Sequence, residues 1–192
     1  MKLIFLALFP ALLFSSGGYD HGTSAGKGNL DLSLTWNPFN FIKEGQSYAV
    51  LGYGLTNKID FHLYYSSSKD TDDNYYFGLF YQFYKSQRLD LATAVGIRKF
   101  SNQSLSHFFF PQLLYTFHIN KKLKLGGSIV QIRDYKIKKR ISEANDLFLV
   151  YNIRENKKYK IDFTAGGFNP GLWKPSSGNW HPTYSIDIKF KF

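Results

Sequence analysis

Side chains able to do chemistry are sparse in this chain. It has five histidines in 192 residues and no cysteine, so disulfides and thiolate metal sites are excluded. No His-x-x-x-His spacing occurs, and the acidic stretch Asp70 to Asp73 lacks the spacing of a calcium loop. The sequence therefore offers no metal site and calls for no cofactor. One grouping could serve nucleophilic chemistry: Ser104, Ser106 and His107, with His181 far along the chain. A serine hydroxyl becomes a nucleophile only with a base in hydrogen-bond reach, and Ser-x-Ser-His is no known nucleophile motif. Ser106 and His107 are the hydrolase candidates. The sequence points toward a protein without catalysis.

A second set of residues carries charge. Asp31, Asp60, Asp90, Lys124, Lys160, Asp162, Asp187, Lys189 and Lys191 each sit at a polar position between apolar or aromatic neighbours, as in Leu30-Asp31-Leu32 and Ile59-Asp60-Phe61. Such spacing turns all of them to one side of a sheet. Enclosed there, they need partners, because an isolated buried ion is costly. They form either a structural salt-bridge network or a solute path whose charges select the permeant. On the last strand Asp187, Lys189 and Lys191 should meet Asp31 and Asp162.

The elements that carry these charges are strands. Tyr184, Ile186, Ile188, Phe190 and Phe192 alternate strictly with Ser185, Asp187, Lys189 and Lys191, the period-two pattern of a strand with one apolar face. The same alternation marks nine earlier segments, beginning at Leu30, Ser47, Ile59, Asn74, Leu89, Ser106, Leu123, about Leu147 and Tyr159. Eight or twelve strands are the alternatives to ten. The seventh segment slips phase around Ile129 to Ile132, which predicts a bulge there. Pro111 in the sixth fits a rim or a bulge. Connections alternate in length. Short turns lie at 56–58, 85–88, 120–122 and 155–158, and longer loops at 37–46, 67–73, 99–105, 136–143 and 168–182. After each short turn the sequence reads basic, apolar, Asp or Lys, apolar, an imperfect internal repeat.

Composition agrees with one domain. Hydrophobic residues make up 44% of the chain, with 19 Phe and 14 Tyr, yet the mean hydropathy is negative. The apolar residues are thus dispersed among polar ones. The net charge of +10 raises a nucleic-acid reading, but the basic residues are spread along the chain with no nucleic-acid motif. At the amino terminus Lys2, the apolar run Leu3 to Phe14 and the small residues from Ser15 read as a signal peptide over 1–17. The run is shorter than the roughly 20 residues a membrane helix requires. Residues 18–192 form the barrel domain.

An alternating terminal strand that ends in Phe resembles the closing strand of bacterial outer-membrane β-barrels. The hairpin Tyr53-Gly-Leu-Thr-Asn-Lys-Ile-Asp-Phe61 resembles periplasmic hairpins of their transport-type, porin-like members. The resemblance implies an all-β, up-and-down, antiparallel transmembrane β-barrel in the outer membrane of a Gram-negative-type bacterium, with both termini at the periplasmic end. It implies Tyr184, Phe190 and Phe192 as the signal read by the barrel-assembly machinery. The rival is a soluble ligand-binding barrel, whose apolar face points inward. Here the polar face is rich in small residues such as Gly52, Gly54, Ala92, Ala94, Gly96 and Gly126, which suits a narrow interior inside lipid. The basic loop Lys136-Ile-Lys138-Lys139-Arg140, placed outside, would meet lipopolysaccharide phosphates. Phe39, Phe168, Trp173 and Trp180 could cap the mouth. The role expected is structural or that of a narrow channel for a small solute. A rim-located lipid hydrolase is the enzymatic alternative, and no nucleic-acid partner is implied.

Overall fold

The computed structural model describes residues 21–37, 46–68, 71–102, 106–137, 139–169 and 180–192. The expected signal peptide at 1–17, Ser104, Lys138, Phe39 and Trp173 lie outside them. The ten strands are β1 (Leu30–Asn37), β2 (Gln46–Gly54), β3 (Ile59–Ser68), β4 (Thr71–Lys85), β5 (Leu89–Phe100), β6 (Ser106–His118), β7 (Leu123–Asp134), β8 (Arg140–Glu155), β9 (Tyr159–Asn169) and β10 (His181–Phe190). Each strand pairs antiparallel with its sequence neighbours, and β1 pairs with β10 to close the barrel. The seam runs from Leu30 opposite Phe190 to Trp36 opposite Tyr184. The start of β1 and the end of β10 therefore sit at the end that carries the short turns.

Alternation decides which face meets which medium. On β4, Tyr75, Phe77, Leu79, Tyr81 and Phe83 point outward and are 44–50% exposed. Their neighbours Asn74, Tyr76, Phe80 and Gln82 point inward and are buried. Leu63, Leu113, Leu147, Tyr151 and Ile186 continue the exposed apolar belt around the barrel. A patch this large is not tolerated on a monomer in water. This is the outside of a transmembrane barrel, and a soluble barrel would have the opposite polarity.

Three expectations shift. The phase of β7 is unbroken, since Gly126, Ser128, Val130 and Ile132 all face inward and are buried. The extra residue lies on β6 instead, where the register jumps between Phe109 and Gln112 around Pro111. The apparent slip came from apolar residues placed inside: Val130 and Ile132 pack with Tyr76 and Phe109 in a lumen cluster. The connection after β3 narrows from 67–73 to 69–70, because both strands extend past the expected loop. Likewise β8 begins at Arg140 and takes in the end of the expected loop 136–143.

The four short turns are one device used four times. Thr56, Ser86, Asn120 and Asn156 each accept two backbone N–H bonds through the side chain, from the residues two and three positions on, at 2.8–3.3 Å. Asx and Ser/Thr turns of this kind replace backbone partners the hairpin lacks. The basic residue two positions after each cap then offers its carbonyl to the next hairpin. Lys58, Arg88, Lys122 and Lys158 accept from the N–H of Gln82, His118, Asn152 and Lys191 at 2.8 Å. The sequence repeat is thus a structural repeat, joined edge to edge.

Candidate functional site

In each repeat the residue four positions after the cap points into the lumen. Those residues are Asp60, Asp90, Lys124 and Lys160. The repeat therefore splits the lumen at the short-turn end into an acidic side on β3 and β5 and a basic side on β7 and β9. Lys189 on β10 adds to the basic side, and Asp31 on β1 stands at the boundary.

The acidic side is filled. Phe80, Ala92, Ala94 and Leu114 form a buried cluster on β4, β5 and β6. Residues 21–29 enter the lumen and run across it at the short-turn end. Gly22 N–H donates to the Thr116 hydroxyl at 3.0 Å. The Thr23 hydroxyl donates to Asp90 at 2.8 Å, and His118 bonds the same carboxylate oxygen at 3.0 Å. The Ser24 hydroxyl donates to the Asn57 carbonyl at 2.8 Å, and Ala25 N–H to Asp60 at 2.7 Å. Gly26 and Gly28 have φ of +83° and +78°; these left-handed residues, which suit glycine, swing the chain from the lumen into β1. Nothing read from the sequence placed this segment inside. Its signal was composition alone: only small residues fit between a barrel wall and a cluster.

The basic side keeps open space. A cavity of about 80 Å³ is lined by His21, Asp31, Lys124, Lys160, Asp162 and Lys189, among others. It is roomy enough for several waters, each needing roughly 10–15 Å³ on this measure. Register sets like charges opposite each other here: Lys189 faces Lys160, and Asp187 faces Asp162 across β9 and β10. Direct like-charge pairs are destabilising, and the structure relieves them with carboxylates on the other side of each lysine. Lys160 pairs with Asp162 along its own strand, and Lys189 reaches across the seam to Asp31 at 3.2 Å. Asp187 takes hydroxyls in place of a cation, from Thr164 at 2.6 Å and Ser185 at 3.0 Å. Lys191 bonds Glu155 at 2.6 Å, outside the set named from sequence. His21 lies among these cations, and burial, followed by the field of Lys189, holds its imidazole well below the ordinary value.

Above these layers, toward the longer loops, aromatic rings occupy the lumen. Tyr64 stacks on Tyr76 with centroids 5.0 Å apart, and Tyr76 meets Phe109 edge-on at 5.5 Å. Arg98 lies 4.9 Å over the Phe109 ring and donates to His107 Nδ1 at 2.7 Å. That bond occupies the acceptor nitrogen of His107. Ser106 is adjacent on the same strand, so its side chain leaves by the opposite face. Strand geometry therefore keeps Ser106 and His107 apart. The backbone of His181 opens β10, and its side chain lies outside the described residues. Among the described residues no group of three or more metal-ligating side chains occurs. Lys136 and Lys139 are exposed at the β7–β8 turn, and Arg140 is paired with Glu143. Tyr184 and Phe190 lie on the outward face of the seam strand, and Phe192 is 87% exposed.

No family model matches the chain, and neither does any curated protein. Solved structures do match. The NanC porin is 9% identical with a TM-score of 0.51, covering 85% of this chain and 100% of its own. The KdgM porin in complex with disordered oligogalacturonate is 10% identical at TM-score 0.48, over 85% and 99%. The N-terminal β-barrel domain of Pseudomonas aeruginosa OprF is 13% identical at 0.38, over 87% and 99%. The fold is that of a porin-like outer-membrane β-barrel. At these identities the likeness is one of architecture, and the lumen chemistry must be read from this chain.

Proposed function

We propose that this protein is an outer-membrane barrel, exported by its amino-terminal segment, that forms a narrow path for small polar solutes and performs no catalysis. The observation that carries this reading is the charge-lined cavity inside a barrel with an apolar exterior. A polar space in a lipid-embedded cylinder is the beginning of a solute route. The wall of β1, β9 and β10 carries hydroxyls, with Ser33, Thr164 and Ser185 on the cavity and Thr35 and Thr183 beyond it. All five are buried within the barrel. A ten-stranded cylinder leaves a narrow lumen, whereas wide aqueous channels use about 16 strands. Purified barrel in planar bilayers should give small discrete conductance steps. A flat trace from folded protein would count against a channel.

A structural role is the second reading, favoured by the packing of Phe80 and Leu114 across one side of the lumen. At the surface, Lys136 and Lys139 suit contact with lipopolysaccharide phosphates. The seam residues Tyr184, Phe190 and Phe192 suit recognition by the assembly machinery. Deleting Phe192 should slow membrane insertion in cells while leaving lumen properties unchanged, and unaltered insertion would remove that role.

A further inference from the structure

We infer that residues 21–29 are a displaceable plug, seated in the mouth at the short-turn end, that closes the solute path proposed above. The inference rests on that channel reading. The seat is built into the barrel wall. Gly54 on β2 faces the lumen, and a Cβ there would lie 1.9 Å from the Gly26 carbonyl oxygen; the next two nearest atoms also belong to Gly26. Gly28 N–H donates to the Gly54 carbonyl at 2.8 Å, and Gly54 N–H to the Asn29 carbonyl at 3.0 Å. Gly54 is thus absent of side chain where the plug's backbone passes. Two buried carboxylates, Asp60 and Asp90, accept from the plug, and Gly22 is so close to β5 that a Cβ would lie 2.4 Å from the Asp90 carbonyl oxygen.

The composition of the segment makes it removable. His21, Gly22, Thr23, Ser24, Ala25, Gly26, Lys27, Gly28 and Asn29 include no large apolar side chain, so little hydrophobic burial holds it. Its hold is a set of hydrogen bonds that water can replace, which is the low-stability end of a fold's local openings. Lys189 also touches it, reaching the Ser24 carbonyl at 3.4 Å while bonding Asp31. Plug release would leave the carboxylates Asp60 and Asp90 facing Lys124 and Lys160 across an open mouth.

Gly54→Leu in the full chain is the test, because it fills the seat without altering the plug. Folding is checked by heat-modifiable electrophoretic mobility, and conductance is read in planar bilayers. A hydrogen bond of ordinary strength shifts a two-state equilibrium by up to about tenfold, so the variant should be open about tenfold more of the time. Asp60→Ala with Asp90→Ala should open the path in the same direction by removing the anchors. The chain lacks cysteine, so Thr23→Cys with Asp90→Cys, joined by a short cleavable thiol cross-linker, should hold the path shut until cleavage. Folded Gly54→Leu and Asp60→Ala/Asp90→Ala proteins that conduct like the wild type would overturn the plug and leave the channel reading standing. If neither the wild type nor any folded variant conducts, both fall.

Discussion

The two sides of the lumen are made from the same hairpin yet behave as opposites. Asp60 and Asp90 occupy the repeat position on one side, Lys124 and Lys160 on the other. Carboxylates only accept hydrogen bonds, so the acidic side is complemented by N–H and O–H donors on a thin strip of backbone, and it is full. Ammonium groups only donate; Lys160 pairs with Asp162 on its own strand and Lys189 with Asp31 on the neighbouring one, with space left between. The difference teaches that charge sign, set at one position of a repeat, chose which half of the lumen the amino-terminal segment would occupy.

The comparison can be broken most severely at the seam. Lys189→Ala removes one ammonium from the 7%-exposed Asp31, and breaking a buried pair from one side costs about 3 kcal/mol. Urea titration of the barrel folded into vesicles should show that loss; Asp90→Asn, whose partners are a hydroxyl and a histidine, should cost visibly less. Equal costs would mean the two sides are not distinct.

Steric tests sharpen the contrast next. A Cβ at Gly96 would fall 2.2 Å from the Tyr76 ring, which is wedged among Phe109, Val130 and Ile132. A Cβ at Gly126 meets the Phe148 ring at 2.4 Å, but Phe148 borders the cavity and has somewhere to go. Overpacking costs about 1–3 kcal/mol, so Gly96→Val should fall at the top of that range and Gly126→Val at the bottom. If the order reverses in the same titration, the cavity does not absorb the displaced ring.

The turn caps should ignore the division. Thr56→Ala and Asn156→Ala remove the same two backbone bonds on opposite sides, and each should cost about 1 kcal/mol. Unequal losses would show that the hairpins are not equivalent.

The smallest effect is one of pH. His21 faces Lys189 on β10, Lys124 on β7, Lys160 on β9 and His62 on β3, near Asp31, Asp162 and Asp187. Its imidazole titrates lower in the seated plug than when released, so the released form binds more protons. Seating is therefore at full strength above the ordinary histidine value, about 6.5, and weakens as pH falls below it. Open time should rise on acidification, and His21→Gln should flatten that dependence.

Much of the barrel was legible in the chain. Strict alternation gave ten strands, their inward faces and the seam, because a period of two leaves each side chain only one of two media. The rhythm of turns gave the end at which β1 starts and β10 finishes. Where the pattern misled, as at Ile129 to Ile132, lumen residues were apolar, and a pattern cannot distinguish a misplaced greasy residue from one packed against Tyr76 and Phe109. The repeat was visible as basic, apolar, charged, but its caps Thr56, Ser86, Asn120 and Asn156 were not read, since single polar residues in turns are common.

What the sequence by itself determined was period, polarity and count, all properties of neighbours along the chain. What only the tertiary structure decided was which charge meets which, and what fills the space. Lys189 faces Lys160 on one side and Asp31 on the other, and Lys191 goes to Glu155, because seam register and reach between strands are fixed only on closure. The amino-terminal segment enters the lumen for a similar reason. Gly54, Asp60 and Asp90 lie apart in sequence and become one seat only when the strands that carry them stand side by side.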